Sequence, residues 1–471
     1  MRMLIMMHKL YPTRPHTFVK TNTIVVFGPF LGTLGPESPG TAVRGRNAMA
    51  GKLSSIERKW VLYDVGNSAF VLLSTAIVPI YLNSLLESAG RTDVVTTFGY
   101  AQTVASLLVA VLMPALGSLA DFQGKKIKFF LGFFLTGAVC CAAMALPLGW
   151  LAFLVLYVVA TVGLNSSITF YDSMIVDITS DERMDEVSSH GYAWGYVGST
   201  LPFLLCLALI FGGPAIGIPT ADATRLSFVV TALWWVAFTI PLLRSYKQQH
   251  YKQGNGAAMG AAVVESFRGL ASTMRKIGHN KPMLYFMLAF FFYIDGVHTV
   301  ISMSTSYGTS LGIDSVQLVL ALLVTQFVAF PSSIIYGRLA DTFGTKRMII
   351  VAVLAYTCIV FFAAFFLRSA AEFWVLAICV GLFQGGIQAL SRSYFGRLVP
   401  KENSNEFYGF FDVFGKYASV MGSLLVAVTT QITGNSSLGV LSIAVLLFIG
   451  LVLMIKMPEP AKVAARGDDV E

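Results

Sequence analysis

Residues 117–126 read GSLADFQGKK, and residues 337–346 read GRLADTFGTK. Six of the ten positions agree at an offset of 220, and the register runs on without a gap: Ser173 falls on Ser393, Glu182 on Glu402, Glu186 on Glu406 and Gly195 on Gly415. Chance can produce one short match, but a constant offset through three apolar runs of each copy marks a duplication. Each copy sits where an apolar run ends. Its residue types have a physical reading: glycine lets helices approach closely, and the carboxylates of Asp121 and Asp341 can accept charge-assisted bonds or cap a neighbouring helix start. Lys126 and Lys346 then stay at the membrane surface. A generic polar turn accounts for Gly117, Asp121, Gly124 and Lys126 alone, but poorly for Gly337, Asp341, Gly344 and Lys346 in the same register.

The runs around this repeat dominate the chain. Its 471 residues are 55% hydrophobic and only 12% charged, with a mean hydropathy of +0.70, a composition that belongs to a polytopic membrane protein. A span needs about 20 mostly apolar residues. Twelve windows qualify: 60–82, 98–120, 127–147, 150–172, 191–212, 226–244, 283–306, 316–337, 347–367, 372–395, 407–431 and 437–456. Each is expected to be a helix, because barrel strands would be shorter and would alternate. The fold expected is an all-α membrane protein of twelve transmembrane helices in two six-helix halves, residues 53–244 and 283–456, with a linker at 245–282 and a tail at 457–471.

The charges orient it. With the amino terminus inside, the inner loops and tail after the first span hold 18 basic residues, against three outside (Arg91, Arg225 and Arg368). The positive-inside rule therefore places both termini in the cytoplasm. The net charge of +8 reads as this topology signal rather than as a nucleic-acid surface. The five cysteines all fall in apolar runs without metal-ligand spacing, so neither a disulfide framework nor a metal or other cofactor is implied. Residues 1–52 read as a disordered extension, with Met49 an alternative start to Met1. Their early basic bias also suits a targeting segment, although no small-x-small cleavage site follows.

Other stretches carry a family resemblance. YDVGNSAF (63–70), FYDSMIVDI (170–178), FYIDGVHT (292–299), GGIQALSRSYFGRLVP (385–400) and EFYGFFDVFGK (406–416), together with the doubled motif, resemble the major facilitator superfamily, in the branch of the fungal autophagy-related vacuolar amino-acid effluxer and its bacterial relatives. The resemblance covers about residues 55–456. Asp172, Ile175-Val176 and His298 depart from that branch's pattern. It implies a central cavity lined by the first, fourth, seventh and tenth spans, amino acids or another small zwitterion as solute, a monomer, and the bacterial inner membrane as location.

Ionisable groups inside spans are expensive and are usually used or paired. Those found here fall on the expected spans: Asp64 and Asn67 on the first, Asn165 and Asp172 on the fourth, Asp295 and His298 on the seventh, and Gln384, Gln388 and Arg392 on the tenth. Asp295 is about 18 Å into its span, near mid-membrane, whereas Asp64 is about 6 Å in. The expectation is a mid-membrane solute and proton pathway of Asn67, Asp295, His298, Gln384 and Gln388, and a cytoplasmic gate of Asp64, Asp172 and Arg392. Asp172 and Arg392 are equivalent in the 220 register, so an opposite-charge pair could form across the pseudo-axis. Asp412 and Lys416, four apart, are expected to form a structural ion pair.

The function expected is secondary active transport by alternating access, with protons the coupling ion. No GxxxxGK[ST] or HExxH occurs, which argues against ATP-driven transport and against an intramembrane metalloenzyme. Export of drug-like compounds, or a non-transporting sensor or channel, stays open, as does uptake against efflux.

Overall fold

The computed structural model describes residues 52–253 and 272–459. The expected extension and either start, the middle of the linker, and most of the tail lie outside the described residues, as does the side chain of Lys416.

Ser54 and Glu57 form a reciprocal capping box that starts the first span, Ser55–Ala76. Pro79, just inside the next helix, removes an N–H, and the chain bends by 43° before continuing as Val78–Ser88. The later spans, two to twelve, are Val94–Ala120, Lys126–Ala143, Trp150–Ser173, Met184–Gly212, Thr220–Leu243, Lys281–Ser310, Ser315–Phe343, Thr345–Phe365, Ala370–Leu398, Ser404–Thr433 and Ser436–Lys456. Among the described residues ten helices are long and apolar enough to cross a membrane, and the bent pair makes an eleventh. Span eleven has the length, at 30 residues, but Glu406, Asp412 and Lys416 occupy its first half and only Met421–Thr433 is apolar. Glu406 and Asp412 face protein.

The two sextets, spans one to six and seven to twelve, join where span two packs on span eleven and span five on span eight. The repeated glycines make these contacts possible. A Cβ on Gly117 would lie 2.5 Å from the Asn405 carbonyl oxygen, and one on Gly337 would lie 2.7 Å from Ser189 Oγ. The motif's second glycines, Gly124 and Gly344, have φ of 67° and 89°, a left-handed turn that other residues resist. In span five, Gly198 packs so tightly that a Cβ would lie 2.5 Å from Val65 Cα. Large apolar side chains such as Leu151, Phe211 and Phe448 remain on the outside, where lipid covers them.

Candidate functional site

Both GxxxDxxG loops lie at one end of the bundle, called here the motif end. Inward of it, on span ten, Arg392 has only 3% of its side chain exposed. Its Nη1 donates to Asp172 Oδ1 at 2.8 Å, Nη1 and Nη2 each reach Asp64 Oδ2 at 3.4 Å, and Nε and Nη2 donate to Ser188 Oγ and to its carbonyl at 2.9 and 3.0 Å. The guanidinium also lies over the rings of Tyr192, Trp60 and Tyr171, at 4.5, 4.7 and 5.6 Å. A planar fork with weak hydration suits such a site, where a lysine would satisfy fewer acceptors.

The first sextet builds this receptacle from its own contacts. Trp60 stacks on Tyr171 at 4.4 Å and donates its indole N–H to the Tyr171 carbonyl at 3.0 Å. The Tyr171 hydroxyl donates to Asp64 Oδ2 at 2.8 Å, and Asn67 Nδ2 reaches Asp64 Oδ1 at 3.4 Å while bonding the Tyr63 carbonyl at 2.9 Å. The structure thus brings Asp64, Asp172 and Arg392 together, with Asn67 at their edge. Deeper in, Gln384 Nε2 donates to the Tyr196 hydroxyl at 3.2 Å, a further bond between the sextets, and Gln388 bonds back to the Gln384 carbonyl. Beyond Gln384 a recess opens between spans seven, eight and ten, lined by Val300, Ile301, Leu322, Gln326 and Phe373 among others.

Nearer the surface the duplication continues in the charges. Asp181 and Lys401, equivalent in the 220 register, pair at 3.1 Å. Asp177 and Arg397 are equivalent too and opposite in sign, but each finds another partner: Lys126 at 2.8 Å for Asp177 and Asp185 at 2.7 Å for Arg397. Lys126 is fully buried and also reaches Ser404 of span eleven.

The two motif carboxylates behave differently. Asp121 is buried and accepts from the Asn405 backbone N–H at 2.9 Å, the Asn405 amide at 2.8 Å and the Glu406 N–H at 3.3 Å, capping span eleven. Asp341 is exposed and makes no hydrogen bond among the described residues. The reason lies in the register, which puts Asp185 where Asn405 stands in the other copy. An acid there cannot donate to Asp341, and it turns instead to Thr345 at 2.5 Å, Arg397 and Ser393. Lys346 donates to the Met457 carbonyl at 2.7 Å.

Asp295 departs from expectation. No hydrogen bond joins it to His298 or Gln388 among the described residues. It faces span eleven, where Oδ1 accepts from the Gly422 N–H at 2.9 Å and from Thr299 at 3.3 Å, while Oδ2 is buried without a partner. Gly422 permits this: a Cβ there would lie 2.1 Å from Thr299 Oγ1 and 2.6 Å from Asp295 Oδ1. Asp412 accepts from Thr169 of span four, across the sextets; the side chain of Lys416, its expected partner, lies outside the described residues.

Comparison with known proteins places this geometry. Residues 91–464 match the model of a family described as vacuole effluxer Atg22 like. The chain belongs to that family of major facilitator transporters. Among Atg22-like relatives, the uncharacterized MFS-type transporter YxiO of Bacillus subtilis is 43% identical, over 87% of this chain and 96% of its own. Autophagy-related protein 22-2 of Aspergillus clavatus is 28% identical, over 56% of this chain and 46% of its own. The solved structure of the proton:xylose symporter XylE, 12% identical, superposes with a TM-score of 0.66 over 85% of this chain and 95% of its own. At that identity the likeness concerns the fold alone. This Atg22-like chain is accordingly a multi-pass integral membrane protein of the transporter class.

Sequence reasoning missed the Ser188 and aromatic surroundings of Arg392, the buried Lys126–Asp177 pair, Asp185 and Gly422. For Asp177, Asp181 and Asp185 the signal was present: extending the 220 register shows acids facing Arg397, Lys401 and Asn405.

Proposed function

We propose that this protein moves a small organic solute, an amino acid or similar zwitterion, by alternating access, and that protons drive it. The observation that carries this reading is the buried Arg392, held by Asp172, Asp64 and Ser188 of the other sextet. One cation on the second sextet closes the mouth at the motif end, and rocking the sextets apart would release it. The basic loops make that end the cytoplasmic one, in a bacterial plasma membrane. Solute reaches the recess beyond Gln384 from the opposite side, and the Tyr196–Gln384 bond links its floor to the first sextet. Asp295, with one oxygen bonded and the other bare, has room for the coupling proton on Oδ2. The fold likeness to a proton-coupled symporter is compatible with this role.

The test is a thermal-shift screen of the purified protein against solute libraries, followed by flux of each hit into vesicles. Saturable flux supports a carrier. Unsaturable conductance through the same vesicles would mark a channel instead.

A further inference from the structure

The segment leaving span six, YKQQHYK at 246–252, is absorbed neither by the solute pathway nor by the Arg392 cluster. It crosses the motif end in an extended run. Tyr246 donates its hydroxyl to Asp177 Oδ2, and Asp177 Oδ1 accepts from the Gln249 N–H at 3.1 Å and the His250 N–H at 2.9 Å. Gln248 Nε2 reaches the Ala120 and Asp121 carbonyls, both at 3.4 Å. The Lys252 N–H donates to the Asp121 carbonyl at 2.8 Å, in a parallel bridge beside Phe122. All of these bonds stay within the first sextet. The Lys252 ammonium then crosses to the second, 3.2 Å from Glu406 Oε2 and 3.7 Å from Asp121 Oδ2.

We infer that Tyr246–Lys252 is a strap that holds the motif end closed, with Lys252 as its bolt. The inference rests on the alternating-access reading above. Asp121 and Glu406 belong to different sextets and meet where span two caps span eleven. Lys252 lies against both carboxylates, so without it two acids face each other across the joint that must part on opening. The strap's many bonds on the first sextet hold the Lys252 backbone in place. Less freedom is then lost when its ammonium engages Glu406 than for a loose lysine. Thr273, on the far side of the linker, donates to the other Glu406 oxygen and steadies the acceptor.

The test measures closure directly in the full chain. Spin labels are placed at Lys128→Cys and Lys456→Cys, exposed positions at the motif ends of spans three and twelve, after replacing the five native cysteines, and distances are recorded in lipid nanodiscs. Lys252→Met keeps the aliphatic stem and removes the charge, and should raise the ratio of long to short distances roughly tenfold. Lys252→Arg should restore the short distance. If Lys252→Met fails to yield a monodisperse protein, Tyr246→Phe, which loosens only the anchor, should shift the ratio in the same direction. A distribution identical to wild type in either variant overturns the strap. Shifted distances without solute flux in any variant would overturn the transport reading while leaving the strap in place.

Discussion

Arg392 and Asp172 occupy equivalent positions in the two copies of the repeat, 220 residues apart, and their side chains meet at 2.8 Å across the pseudo-axis. Duplication alone would have put like residues opposite each other. Divergence to opposite sign at this position, and again at Asp181 and Lys401, turned a symmetric seam into one that attracts.

Breaking that pair from one side should be worse than removing it whole. Arg392→Met leaves buried Asp172 and half-buried Asp64 without their cation, a loss of about 3–5 kcal/mol for a buried pair. The double variant Arg392→Met with Asp172→Asn should recover part of it. Thermal unfolding of the wild type, Arg392→Met, Asp172→Asn and the double variant in one detergent checks this, with the double variant expected to melt above Arg392→Met alone.

Asp121 and Asp341 share a motif but not an environment. Asp121→Ala strands three N–H groups at the start of span eleven and should cost about 1–3 kcal/mol in the closed form. The same change at exposed Asp341 should stay within about 0.5 kcal/mol. Parallel melting curves, with label accessibility at the motif end, compare the two. Equal effects would refute the asymmetry.

Two glycines should fail in different ways. Gly117→Ala drives a methyl into the Asn405 carbonyl of the other sextet, so it should open the motif end while leaving each sextet folded. Gly198→Ala collides with Val65 inside one sextet and should lower the melting temperature, as overpacking of about 1–3 kcal/mol does. Cysteine accessibility at the motif end separates the outcomes.

Gly422→Ala tests the placement of Asp295 rather than its chemistry. The added methyl would meet Thr299 Oγ1 and Asp295 Oδ1, displacing the carboxyl from span eleven. Transport by this variant should lose its response to pH even though Asp295 is still present. An unchanged pH profile would show that the Gly422 contact is incidental.

What was legible in the sequence is what depends on composition and register. Span positions followed from apolar runs, and the glycines of GxxxDxxG declared close approach before the Asn405 and Ser189 contacts were seen. The pairing of Arg392 with Asp172 was legible because the repeat itself gives a spatial relation. Asp295 was not, because its partner is a backbone N–H on span eleven, 127 residues away and exposed only because Gly422 lacks a side chain. His298, expected in the same pathway, lies three residues on along the same helix, yet no hydrogen bond joins the two among the described residues. The Thr169 hydroxyl that donates to Asp412 was hidden in the same way, because it comes from another span. Span eleven likewise looked like an ordinary membrane helix until its polar half proved to be covered by span two and by the segment after span six.

The central claim is that this chain is a proton-driven carrier using Asp295. Purified protein in vesicles, loaded with a solute identified by thermal shift, should show saturable flux that an imposed pH gradient accelerates. In Asp295→Asn the flux should persist downhill but ignore the gradient. Full gradient-driven accumulation by Asp295→Asn would contradict the account.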